Sequence, residues 1–349
     1  MKPQEQIEFW VNRAREVLRM QNRRYSTERD YCGWLRRYFA FTVKLPKGLA
    51  PEAKAERFLN HLANVENVSA QTQDGAFYAI LYFYKNVVRK PLENLQCCRP
   101  AKRQRIRTAP SVTETQRLLA ALPDVGGYPT NFQGRIIYSR GLRVCEPLNL
   151  RMKDVRFEDR KLILIAAKGN KDRVVKLDEW MIEPFQRQMV AALLVWESDC
   201  RNGIPLEIPN QLAKKYPETR FSKHWAWVFP GKQPCRHPRT GEIVRYRQHE
   251  CFLQRAFKLA RQRTGVLAVP HEMRHAHATH LLESGLASVK ALQAEMGHVD
   301  ARTTLGYCHA DALSVPDPAL LGQLRPVFTI EPAANNRLSA SRIYQLNPA

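Results

Sequence analysis

Apolar residues recur at three- and four-residue spacing through most of the first hundred positions. Ile7, Trp10, Val11, Ala14 and Val17 trace one face of a helix. A second helix is expected from "STERD", with Ser26 or Thr27 as its cap and Tyr31, Trp34, Leu35, Tyr38 and Phe39 along it. A third starts at Pro51 with Phe58, Leu59 and Leu62 inward. The stretch "DGAFYAILYFYKNVV", 74–88, is apolar enough for the centre of a bundle. Four short helices make a small helical domain over 1–96. A larger domain, 113–312, opens with the helix "TETQRLLAAL", capped at Thr113. Around 155–177 the period becomes that of strands, with "LILI" and "RVVKL" flanking the turn-rich "AAKGNKD". Helical spacing returns near 179–197, 248–264 and 272–285. The expected class is mainly α with a small antiparallel β-sheet, an α+β protein of two domains. The proline-containing tail, 313–349, gives no assignment.

Between the domains lies "CCRPAKRQRIRTAPSV", 97–112, with two prolines, several cations and no acid. It is too charged to bury and reads as a basic linker. Its Lys102, Arg103, Arg105 and Arg107 suit a phosphate backbone. Charge enlarges that reading, because 55 Lys and Arg against 33 acids leave the 349-residue chain at +22. The surplus is spread along the whole length, which favours a nucleic-acid partner over a merely soluble basic surface. No apolar run approaches membrane-spanning length, and neither an N-terminal signal region nor a basic amphipathic anchor is seen, so a cytoplasmic protein without membrane contact is expected. The cysteines are scattered without C-x-x-C spacing and read as reduced thiols.

The stretch "HEMRHAHATH", 271–280, satisfies the H-E-x-x-H signature of zinc proteases. On a helix His271 and His275 fall about 40° apart and could share a metal. His277 and His280 lie on roughly the opposite face at 100° per residue and cannot complete that site. Arg274 projects from the His271/His275 face, where its fixed charge would repel a dication. No metal and no cofactor are expected. Arginine beside histidine suits an anion instead, through a forked guanidinium and an imidazole donor. "SRGLRVCEPLNLRMKDV" supplies Arg143, and "EMGHVDARTTLGYCHA" supplies His298 and then Tyr307. Taken singly, each has a bland reading: Arg143 in an ion pair with Glu146, His298 as a cap or core residue, Tyr307 in packing.

Together, "GLRVCEPLNL", "KGNKDRVV", "HEMRHAHATHLL" and "MGHVDARTTLGYCH" resemble the ordered boxes of the tyrosine recombinases, the phage-integrase and Xer-like superfamily. The resemblance implies a C-shaped two-domain clamp on DNA. It also implies an active site of Arg143, Lys168, His271, Arg274, His298 and the nucleophile Tyr307. The phenol attacks a phosphodiester, forms a 3′-phosphotyrosyl ester and expels a 5′-hydroxyl, so rejoining needs neither ATP nor metal. Arg143, Arg274 and the histidines would meet charge on the pentacoordinate phosphate, and Lys168 would protonate the leaving oxygen. His275, His277 and His280 are assigned to helix packing, and Lys171 and Arg173 to backbone phosphate.

The segment between Lys168 and His271 is long, and its stretch 200–257, with an insert around 198–235, resembles that of integron integrases. Ile208-Pro209, Leu212, Lys215-Tyr216-Pro217, Trp225, Trp227-Val228-Phe229-Pro230, Pro238-Arg239 and Leu253 to Ala256 carry that likeness. It implies recombination of a duplex integration site with cassette sites folded as single-strand hairpins, by a tetramer assembled on DNA. Trp225, Trp227, Phe229 and Tyr216, interleaved with Lys214, Lys215 and Arg220, would stack on bulged bases, and Arg239 would contact DNA as well. The two tryptophans, alternate along an expected strand, could also be core. The chain departs from the family at Tyr246 and Arg247, where a His-His pair is usual and where both residues can still stack on a base, at Glu272-Met273, and in its longer tail. Two readings compete with the integron type: a recombinase restricted to duplex sites, and an inactive DNA-binding relative.

Overall fold

The computed structural model describes residues 2–98, 109–167, 171–285 and 288–297. Contacts divide the chain into two units, 1–107 and 108–349. The first is helical. Helix α1 (Pro3–Met20) buries Ile7, Val11, Ala14 and Leu18, and α2 (Tyr25–Thr42) buries Cys32, Leu35 and Tyr38. They pack with α3 (Pro51–Asn64) and α4 (Ala70–Tyr82), which Ser69 caps through Thr72 and which runs into a π-helical turn, Phe83–Val88. The "STERD" segment does not cap as expected. Helix α2 already begins at Tyr25, placing Ser26 and Thr27 in its first turn with no side-chain cap bond. What fixes this turn is Glu28, which is buried and held by both Nε and Nη2 of Arg19 at 3.0 and 2.8 Å.

In the second unit, α5 (Val112–Ala120) is capped two residues earlier than its sequence suggests. Ser111 is the cap, accepting from the Glu114 amide at 3.2 Å while Glu114 accepts from the Ser111 amide at 2.8 Å. After α6 (Thr130–Ser139) and the short α7 (Cys145–Leu148) comes an antiparallel sheet. Its order is β1 (Val155–Arg156), β2 (Lys161–Ala167), β3 (Lys171–Lys176), with Leu162 opposite Val175 and Leu164 opposite Arg173. Helix α8 (Glu179–Arg201) follows, then the insert, then α10 (Cys251–Thr264) and α11 (Pro270–Glu283), which join it around one apolar core, while α12 (Val289–Met296) packs Leu292 and Met296 against Ala278 of α11 in a second, smaller cluster. The small antiparallel sheet embedded among helices matches the expected α+β class.

Within the insert, α9 (Asn210–Lys215) is followed by 3-10 turns and by the hairpin of β4 (Cys235–Arg236) and β5 (Ile243–Val244). The tryptophans do not alternate along a named strand. Trp225 ends a 3-10 turn, and residues 226–228 lie along 150–152, with Met152 donating to Ala226 and Val228 to Leu150 at 2.9 and 3.0 Å. The two-pronged Arg245–Asp199 pair, buried, ties the end of the insert to the end of α8.

Candidate active site

Three segments converge on one carboxylate. Helix α6 ends at Ser139, and Gly141 turns the chain with φ +54, a left-handed conformation that glycine adopts without strain. A Cβ there would also come within 2.6 Å of the His277 ring. The turn drops Leu142 into the core and presents Arg143 at the head of α7. Glu146, three residues on, accepts from the Arg143 amide and from its Nη1, each at 2.7 Å. One carboxylate thus stabilises the helix start and holds the guanidinium.

The second segment is α11. Glu272 accepts from the Val269 amide at 2.6 Å and so fixes the first turn, which gives a use to one departure from the family pattern. Arg274 points inward and is 1% exposed. Its Nη1 donates to the Gly141 carbonyl, its Nη2 to the Met296 carbonyl at 2.7 Å, and Nη1 stands 4.0 Å from Glu146. His271 is exposed, with its ring edge-on to His275 at 4.5 Å between centroids. His280 bridges Tyr138 and Pro110; since a carbonyl only accepts, Nε2 donates to Pro110 and Nδ1 accepts from the phenol. His277 is buried, and desolvation, helped by Arg140 and Arg274, pushes its pKa down to about 3. It is neutral at pH 7.

The third segment is β3, and here an expectation is corrected. Arg173 does not face phosphate. Its Nη2 donates to Glu146 at 2.6 Å, its Nη1 to the Met296 carbonyl, and the side chain is 8% exposed. Strand alternation carried the signal: Arg173 shares a face with buried Val175. Trp227 is corrected likewise. It is buried, its Nε1 donates to the Arg245 carbonyl, and the Arg151 guanidinium lies on its ring, so no base can stack there. Trp225 is half-buried beneath the Lys153 ammonium, 3.6 Å from its ring. Tyr246 is half-buried and stacks on Trp227, while Arg247 donates to the Gln248 carbonyl and sits 3.5 Å from Glu250. Lys214, Lys215 and Tyr216 are exposed at the end of α9, and Arg239 is half-exposed in the β4–β5 turn.

Lys168, His298, Tyr307 and the linker residues Lys102, Arg103, Arg105 and Arg107 lie outside the described residues, as does the side chain of Lys171. Among the described residues no group of three or more His, Cys, Asp or Glu could hold a metal, and no helix is long and apolar enough to cross a membrane. What the site offers is the partly exposed guanidinium of Arg143, backed by the buried guanidiniums of Arg274 and Arg173 around a single acid, Glu146. Such an arrangement keeps a net positive field and suits an anion whose charge is spread over several oxygens. Glu146 itself was legible as R-x-x-E at a helix start, but the Met296 carbonyl has no side-chain signature.

The profile of the Phage integrase family matches residues 111–313, and that of the "Phage integrase, N-terminal SAM-like domain" matches residues 10–94. An "Integrase/recombinase" of Escherichia coli is 34% identical over 306 residues, 86% of this chain and 88% of that protein. "Tyrosine recombinase XerD" of Agrobacterium fabrum is 32% identical over 178 residues, 50% of this chain and 46% of that one. Among solved structures, a lambda integrase(75–356) dimer bound to a COC′ core site shares the fold at a TM-score of 0.56 and 14% identity, covering 89% of this chain and 98% of that one. The chain belongs to the phage integrase family and is a site-specific tyrosine recombinase.

Proposed function

We propose that the enzyme cuts and rejoins DNA through Tyr307, with Arg143 and Arg274 receiving the scissile phosphate. The phenol loses its proton to solvent as its oxygen forms a bond to phosphorus, the bond to the 5′-oxygen breaks, and that oxygen takes a proton from Lys168. Reversal by another strand's 5′-hydroxyl restores the diester without an external energy source. His271 and His298 donate to the phosphate oxygens. The observation that carries this reading is the shared carboxylate: Glu146 bonds Arg143 and stands 4.0 Å from Arg274, fixing two guanidiniums from distant segments side by side. Preorganised donors of this kind stabilise charge that develops in the transition state.

The finer reading is an integron-type substrate: a duplex integration site recombined with a folded single-strand hairpin, by a tetramer on DNA. It is supported by the insert, whose α9 end exposes Tyr216 beside Lys214 and Lys215 while its two tryptophans are committed to packing. The basic charge of +22 suits either DNA form. The test is an SDS-stable adduct assay in EDTA on a hairpin site and its duplex counterpart, with Tyr307→Phe as control. An adduct on the hairpin that disappears in the variant supports both levels of the proposal. An adduct on duplex alone reduces it to a duplex recombinase, and binding without adduct refutes the catalytic assignment.

A further inference from the structure

Arg173 is spent entirely inside the protein, yet on acceptors that belong to the candidate active site. Its Nη2 takes Glu146 Oε2 at 2.6 Å, while Oε1 of the same carboxylate holds Arg143. Its Nη1 takes the Met296 carbonyl, which also receives Arg274 at 2.7 Å. Each of its two terminal nitrogens therefore shares an acceptor with a different arginine of the pair. The Nε is buried without a hydrogen-bond partner among the described residues, so this orientation is held against a desolvation penalty. The space for it is made by Gly297, whose φ is +61 and whose absent Cβ would lie 2.9 Å from Arg173 Nη1.

We infer that Arg173 is a positioning residue of the cleavage reaction, a buried strut that sets the separation of Arg143 and Arg274 by tying Glu146 to the end of α12. The inference rests on the reading that those two guanidiniums receive the scissile phosphate. Without Arg173, Glu146 loses one of its bonded guanidiniums and is free to rotate toward Arg274, withdrawing from Arg143. The Met296 carbonyl keeps one donor in place of two, so α12 is less firmly located against α11. Arginine is the residue for this task because a planar fork reaches two acceptors at a fixed angle, which an ammonium does not.

The test must separate positioning from mere folding. Single-turnover cleavage is measured on a normal site and on one whose scissile phosphate is a methylphosphonate, which lacks the charged non-bridging oxygen. Arg173→Met is expected to cleave the normal site about 10²-fold more slowly, as small misplacements of catalytic groups do, with the Kd for the site changed by about threefold or less. On the uncharged linkage its deficit relative to wild type should shrink to about tenfold or less, because there is less charge for the misplaced pair to meet. Arg173→Lys should fall between Met and wild type on the normal site, and it carries the same comparison if the Met variant fails to fold. Equal deficits on both linkages, with Arg143→Ala relieved on the methylphosphonate, would overturn the role of Arg173 alone. Failure of Arg143→Ala to be relieved would instead overturn the phosphate reading on which it stands.

Discussion

The guanidinium carbon of Arg151 lies 3.2 Å from the centre of the Trp227 ring. Its Nη1 donates to the Trp225 carbonyl and its Nη2 to the Glu207 carbonyl, both at 2.8 Å, and the Glu207 carboxylate stands 3.4 Å away. Burial pushes its pKa down to about 10, so it remains a cation at neutral pH. The insert is thus folded around one arginine that precedes it. Arg151→Met leaves two carbonyls and an acid without their partner and should destabilise the catalytic unit by about 3–5 kcal/mol. Urea unfolding of the full chain checks this. A loss below about 1 kcal/mol would reduce the stack to an incidental contact.

Glu146→Gln is almost isosteric but cannot serve the two guanidiniums and the backbone amide that Glu146 accepts from. Oε1 accepts from Arg143 Nη1, and Oε2 accepts from the Arg143 amide and Arg173 Nη2, so either orientation of the amide turns an NH2 toward a donor. Cleavage should fall by about 10²-fold or more while DNA binding is retained, because misplaced donors weaken transition-state binding more than ground-state contact. Single-turnover cleavage beside an anisotropy titration separates the two. Wild-type cleavage by the variant would remove Glu146 from any role at the site.

The helices of the first unit were legible because each buries a stripe at helical spacing, from Ile7 to Leu18 and from Ala55 to Leu62. Their starts were less so. Pro51 marks its helix because its ring fits the first turn, but Glu28 fixes α2 through Arg19, and that partner cannot be read from local capping rules. The same limit separates the arginines. Arg143 and Arg274 stand in motifs, and Arg173 was inward by strand alternation once the hairpin register is known. Arg151 was silent, since Trp227 and Glu207 reach it from far along the chain.

Tyr216 is 51% exposed, with the Lys215 ammonium 5.2 Å from its ring, and it is available for stacking where Trp227 is not. If bulged bases are read at this end of the insert, Tyr216→Ala should weaken binding to a folded hairpin site by about 1–3 kcal/mol, the usual contribution of one stacked base. Duplex affinity should be unchanged. Parallel anisotropy titrations decide it; equal loss on both DNA forms would mean a general backbone contact.

His277 gives the catalytic unit a defined acid sensitivity. Its ring is enclosed by Gly141, Tyr138 and the cations Arg140 and Arg274, and its pKa is depressed to about 3 from a usual value near 6.5. Below about pH 6.5 the unfolded chain takes up a proton that the folded state refuses, so stability is full above that pH and falls as the medium is acidified toward pH 3. The slope is about 1.4 kcal/mol per pH unit, or roughly 2 kcal/mol between pH 7 and pH 5. His280, also depressed by burial, acts in the same direction. His277→Gln removes the titrating group, and although less stable at pH 7 it should show a shallower loss between pH 7 and pH 5 by urea unfolding. An unchanged slope would place the acid sensitivity elsewhere and contradict a neutral His277 in the folded state.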